Sequence, residues 1–259
     1  MNDVAPRRPP TGAPVATKVL ILTPPKTASQ SVYRSLKAAG VAVNCAHTLG
    51  RAMNEIVEWQ GSKLPTPVFA RVRPQIAKER DFLLTLLDIR IRKVVVAIRR
   101  DLQNLLPSLL FHQHFGKIRD LFDEERSAFA SRDAMKAALG DEMKAAAEFM
   151  KSYYTTVYEP LGIPRHAVEQ PFSIVEIRPD LEVVSLRFEA LAEDFKSLAS
   201  HLGAHDCSLL HVNEARDRSG PRSSIIEVPT EAERSMYSAF KRDFRMPAKI
   251  IAKAVPTLA

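Results

Sequence analysis

A chain of 259 residues, 46% of them hydrophobic, is long enough for one α/β domain with a buried core. Nine glycines and 7% aromatic residues speak against a turn-rich β-sandwich or barrel, and two distant cysteines, Cys45 and Cys207, exclude a disulfide framework or a zinc site of CxxC spacing. The formal charge of +7 points to a polyanionic partner (nucleic acid, anionic polysaccharide, membrane surface or a phosphate-rich small molecule) or to a solvated face that keeps the protein soluble.

Residues 1–17 are rich in Pro, Ala and Arg and read as a disordered arm ahead of one domain over 18–259. The arm lacks the apolar core of a signal peptide, and no apolar run approaches the ~20 residues that span a bilayer. A reducing cytoplasm is the expected location. Lys18–Leu22 reads as a short buried strand, and a proline-rich turn follows. Ser29–Ala39 has helical spacing, with Val32, Leu36 and Ala39 on one face and Gly40 at its end. Val41–Asn44 reads as a second strand ending near His47.

From Arg51 to Arg92 the pattern is helical, interrupted between Pro65 and Pro67. Lys93–Ile98 is an unbroken apolar run of the kind covered on both faces of a parallel sheet. Helices are predicted over Leu102–Phe115 and Arg132–Val157, a strand over Leu181–Phe188, and helices over Leu191–Leu202 and from Thr230 onward. Strands alternating with helices give an α/β fold, with a short parallel sheet flanked by many helices.

Two strand-to-helix junctions carry the chemistry. The first, Pro25-Lys26-Thr27-Ala28-Ser29-Gln30-Ser31, sets backbone N–H groups and a helix N-terminus where they can hold a phosphate. Lys26 can reach the phosphate oxygens, and Ser29 and Ser31 offer hydroxyls at the first helical turn. The loop contains no glycine, so the Walker A pattern is absent and an ATPase of that kind is not expected. A proline-capped turn before an ordinary helix is the alternative reading. The second junction runs from strand 93–98 into Arg99-Arg100-Asp101, with Ser108 eight residues beyond Arg100. A guanidinium offers a bidentate fork to a phosphate, and eight residues, about two helical turns, return the serine toward the same side. A charged strand end with Asp101 capping the helix is the plain alternative, and Pro107 is expected to kink that helix.

Together these junctions resemble the P-loop sulfotransferase superfamily. The first is similar to the 5′-phosphosulfate loop, especially the PKTAST form of the uronosyl 2-O-sulfotransferases, from which it departs at Gln30. The second is similar to the arginine and serine that hold the donor's 3′-phosphate. Leu186–Phe195 looks like the late RxEDL segment of many sulfotransferases. Tyr154–Leu191, with Gly162-Ile163 and Pro171-Phe172, resembles bacterial capsular polysaccharide synthesis proteins of sulfotransferase type. The resemblance covers roughly 18–245 and implies a P-loop-type α/β fold. It also implies a sulfonate donor, 3′-phosphoadenosine 5′-phosphosulfate, and a hydroxyl acceptor, expected to be a glycan. No metal and no nucleic acid is implied. Residues 25–31 (Pro25, Lys26, Thr27, Ala28, Ser29, Gln30 and Ser31), Arg100 and Ser108 are the implied donor contacts. Arg218 and Arg222, in a late basic loop, are further ones, with a solvated loop as the alternative. Arg187 and Glu189 read as structural.

Sulfonate transfer needs a group to take the acceptor's proton, and histidine suits that task near neutral pH. His47 follows the second strand, in a stretch that resembles the capsular group's HxHxL pattern with Cys45 in place of its first histidine. Lys26 and His47 are therefore the candidate catalytic pair. His112 and His114 stand two apart on a helix, about 200° around it, and do not converge on one ion. A catalytically inactive binding protein of the same fold and a kinase-like P-loop enzyme remain as alternatives.

Overall fold

The computed structural model describes residues 17–49, 78–123, 125–126, 128–129, 131–210 and 231–254. In chain order the strands are β1 (Thr17–Leu22), β2 (Val43–Ala46), β3 (Arg92–Arg99), β4 (Phe122–Asp123), β5 (Ala128–Phe129), β6 (Ser173–Arg178) and β7 (Leu181–Arg187). The helices are α1 (Ser29–Ala38), α2 (78–87), α3 (Leu102–Gln113), α4 (Phe115–Arg119), α5 (Arg132–Ala138), α6 (Gly140–Tyr153), α7 (Arg165–Glu169), α8 (Leu191–His201), α9 (Glu231–Asp243) and α10 (Ala248–Ala254).

The three apolar runs read from the sequence make the middle of a five-stranded sheet of order β2-β1-β3-β7-β6. The first four strands are parallel and only the edge strand β6 runs antiparallel. The fold is α/β, with this mostly parallel sheet flanked by helices. The strand period of two sorts the buried side chains onto two faces. Leu20, Leu22, Val95, Ala97 and Val183 pack with α2, α7 and the end of α6. Val19, Ile21, Val94, Val96 and Val184 pack with Val32 and Leu36 of α1 and with Phe195 and Leu198 of α8. A third cluster is built mainly by α3, α4, α5, α6, α9 and α10, with Phe122 of β4 and Phe129 of β5 packed against it.

The expected element boundaries move at several places. The second strand lies at 43–46 and not at 41–44, because the turn at Gly40 (φ 76°) delays it. The helix expected over 102–115 breaks at His114. The one expected over 132–157 breaks at Leu139 and ends in a π-helical turn, Tyr154–Tyr158. Strand β6 has no counterpart among the predicted elements. Residues 1–16 of the N-terminal arm and the 50–77 part of the helical region lie outside the described residues, while Thr17 already belongs to β1.

The parallel register puts the C-terminal ends of β1, β2, β3 and β7 along one edge of the sheet. The chain leaves β1 for β2 on one side and returns to β3 on the other. In open α/β sheets such a reversal marks the edge where ligands bind.

Candidate functional site

Pro24 and Pro25 end β1, and the chain turns through Lys26 (φ 69°) and Ala28 (φ 61°), both in the left-handed region. Residues with a Cβ are disfavoured there by roughly 1–2 kcal/mol each, so the surroundings must hold the loop in shape. Thr23 and Thr27, both fully buried, provide that hold. The Thr23 hydroxyl donates to the Ile98 carbonyl (2.9 Å) and accepts from the Ile98 N–H (3.2 Å). The Thr27 hydroxyl donates to the Pro24 carbonyl (2.7 Å), and the two threonine oxygens lie 2.9 Å apart. No side chain caps the N-terminus of α1 at Ala28. Left-handed residues followed by an uncapped helix form the kind of N–H concavity that accepts anions.

The loop's side chains divide. Thr27 is turned inward and leaves only its backbone to a ligand. Ser29 is buried and bonded to the Cys45 thiol, which its own burial pushes up to about 11. The Gln30 amide also lies beside Cys45, at 4.0 Å from Sγ. Ser31 is buried as well. The Ser29 hydroxyl is thus turned to Cys45 of β2, and the uncapped start of α1 leaves backbone N–H groups at the loop.

Arg100, where β3 ends, swings over the loop. Its Nη1 donates to the Lys26 carbonyl (2.5 Å), and its guanidinium lies 4.2 Å from the centroid of the Phe188 ring, just past the end of β7. Its Nε is buried without a hydrogen-bond partner among the described residues. A buried donor left in this state costs about 1–3 kcal/mol, more when charged, and an arriving anion would remove the cost. Burial is the main influence lowering the Arg100 pKa, opposed by Tyr237, Glu189 and Asp101.

Ser108 is buried in α3, and its Oγ lies 3.1 Å from the hydroxyl of Tyr237 on α9. Pro107 stands inside α3 without ending it. Arg100, Ser108 and Tyr237 thus draw together from the end of β3, from α3 and from α9. Tyr237 joins this group without a signal in the sequence, since nothing in its local sequence announces which helix it packs on.

His47 stands at the end of β2. Its Nδ1 lies 2.9 Å from the Thr23 carbonyl. A carbonyl only accepts, so Nδ1 carries the proton and Nε2 keeps its lone pair. Burial lowers the His47 pKa, the Thr23 carbonyl opposes that, and the Lys26 charge adds to the lowering. The neutral imidazole is the form of a proton acceptor. The phenol of Tyr153 donates to the His47 carbonyl (2.7 Å) and that of Tyr158 to the Leu22 carbonyl (2.7 Å).

Two other residues singled out in the sequence hold backbone and strand ends. Arg187 is bound bidentately by Asp194, and Glu189 accepts from the Asp101 N–H (2.9 Å). His112 closes the last turn of α3 and His114 ends it. Arg218 and Arg222 lie outside the described residues. Among the described residues no three His, Cys, Asp or Glu side chains group as a cation site, and no helix is long and apolar enough to cross a membrane. No family model, no curated protein and no solved structure matches the chain.

Proposed function

We propose that this chain transfers a sulfonate group from 3′-phosphoadenosine 5′-phosphosulfate to a hydroxyl of a carbohydrate. The observation that carries the reading is the juxtaposition at one sheet edge. A left-handed, uncapped lysine loop, an arginine with an orphaned buried Nε, and a neutral histidine fastened to Thr23, just ahead of the loop, meet there. Lys26 and the N–H groups at the start of α1 take the 5′-phosphate. Arg100, with Ser108 and Tyr237, takes the 3′-phosphate. The acceptor oxygen bonds to sulfur as the bond from sulfur to the 5′-phosphate oxygen breaks, and the acceptor's proton passes to His47 Nε2. The leaving 5′-phosphate is met by the Lys26 charge. The products are a sulfate ester and 3′-phosphoadenosine 5′-phosphate.

The charge of +7 suits an anionic glycan as well as the donor. A cytoplasmic location belongs to the same proposal, since both thiols, Cys45 and Cys207, are unpaired.

The experiment is a transfer assay with radiolabelled sulfonate donor and a panel of glycans. Label should move to an acceptor with the intact protein and fall on the order of 100-fold or more with His47→Gln. Donor binding without transfer to any acceptor would favour an inactive binding protein. Magnesium-dependent ATP hydrolysis abolished by Lys26→Ala would favour a kinase-like enzyme.

A further inference from the structure

The π-helical turn at the end of α6 bears directly on His47. In an α-helix, residues five apart point about 140° away from each other, so Tyr153 and Tyr158 would face different neighbours. A π turn closes on the fifth residue instead, and here the Glu159 N–H bonds to the Tyr154 carbonyl. The extra residue brings both phenols to the same side. Their rings meet edge to face at 5.5 Å, and Phe149 holds Tyr153 from behind in the same way at 5.7 Å. Both tyrosines are buried, in the core cluster that lies against one face of the sheet.

What the phenols hold is not generic core. Tyr158 fixes the carbonyl of Leu22, the last residue of β1, and Tyr153 fixes the carbonyl of His47 itself. The His47 ring then reaches back to the carbonyl of Thr23, the residue after Leu22. The three hydrogen bonds form a closed loop: tyrosine pair to β1, β1 to imidazole, imidazole backbone to tyrosine pair. Rotating the ring away from the phosphate loop, or shifting the 47–49 segment outward, breaks at least one of them. A plain α-helical end to α6 would supply only one of the two anchors.

We infer that the π turn is a positioning device in which Tyr153 and Tyr158 fix His47 against the phosphate loop, with its Nε2 turned to the reacting hydroxyl. This rests on the reading of His47 as the proton acceptor. Tyr153 and Tyr158 are positioning residues and touch no reactant.

The test compares Tyr153→Phe with Tyr154→Phe in the full chain. Each substitution keeps the ring and removes one hydroxyl. Tyr154, in the same turn, donates to the Ile163 carbonyl (2.9 Å) and not to the site. Nitrogen NMR of the His47 ring reports the tautomer and the titration midpoint whether or not turnover is seen. In Tyr153→Phe the His47 signals should shift toward a mixture of tautomers. In the transfer assay kcat should fall on the order of 10-fold to 100-fold with donor KM unchanged. Tyr154→Phe should leave both readouts as in the parent protein. His47 signals unchanged in Tyr153→Phe, or changed equally in both variants, would overturn the inference. A parent protein that binds no donor would instead sink the sulfotransferase reading, while the NMR comparison still decides whether the tyrosine clamp holds the ring.

Discussion

Ala28 occupies a left-handed position that glycine adopts without strain, and it does so with an ordinary Cβ. Glycine there would relieve roughly 1–2 kcal/mol of backbone strain and give back part of it through a more flexible unfolded chain. Ala28→Gly should therefore stabilise the protein by about 0.5–1 kcal/mol, read as a higher urea midpoint with an unchanged slope. His47 gives the pH dependence. Burial, aided by the Lys26 charge and opposed by the Thr23 carbonyl, holds it below its usual 6.5. The unfolded chain takes up that proton first as pH falls. The histidine's contribution to stability is thus fully present above pH 6.5 and is lost as pH drops through the lower folded value. The rate should show an acid limb with its midpoint below 6.5, and His47→Gln should remove that limb together with most of the rate; a pH–rate profile of both proteins checks this. Lys26, Arg100 and His47 were legible because a parallel sheet carries every strand's C-terminal end to one edge. Thr23, Tyr153, Tyr158 and Tyr237 were not, since only packing decides which carbonyl or hydroxyl a distant side chain meets.

Helix α8 is anchored to β7 by one carboxylate. Asp194, nearly buried, accepts from the Arg187 N–H (2.6 Å) and from Nε (3.1 Å) and Nη2 (2.6 Å) of its guanidinium. Asp194→Ala leaves a strand-end N–H without its partner. Because the Arg187 side chain is 44% exposed, water recovers much of the ion-pair loss, and the expected cost is about 1–3 kcal/mol. Donor affinity should stay as in the parent, since the pair lies off the anion-facing groups; chemical denaturation and donor titration of the variant separate the two effects. The strands β1, β3 and β7 were readable as apolar runs because both of their faces are covered. Strand β6 mixes Glu176 and Arg178 with Val175 and Ile177, as an edge strand does, and no continuous run marks it. The long helix expected over 132–157 hid the π turn, because hydrophobic spacing reports a helix and not its hydrogen-bond period.

The molecule joins a sheet whose end is held by threonine and tyrosine hydroxyls to a largely helical core whose helix α9 carries Tyr237. Donor binding should tie the two together, since Arg100 belongs to the sheet and Tyr237 to α9. A ligand that binds only the folded state stabilises it by about 2.7 kcal/mol at 100 times its Kd, so 3′-phosphoadenosine 5′-phosphate should raise the melting temperature in a concentration-dependent way. Isothermal titration with this nucleotide, set beside adenosine 5′-phosphate, asks most directly whether the sheet edge is a two-phosphate site. The bisphosphate should bind more tightly than the monophosphate, Arg100→Ala should erase that difference, and Lys26→Ala with Arg100→Ala should weaken binding about 100-fold or more. No binding by the parent protein, or binding that survives the double substitution, would contradict the account.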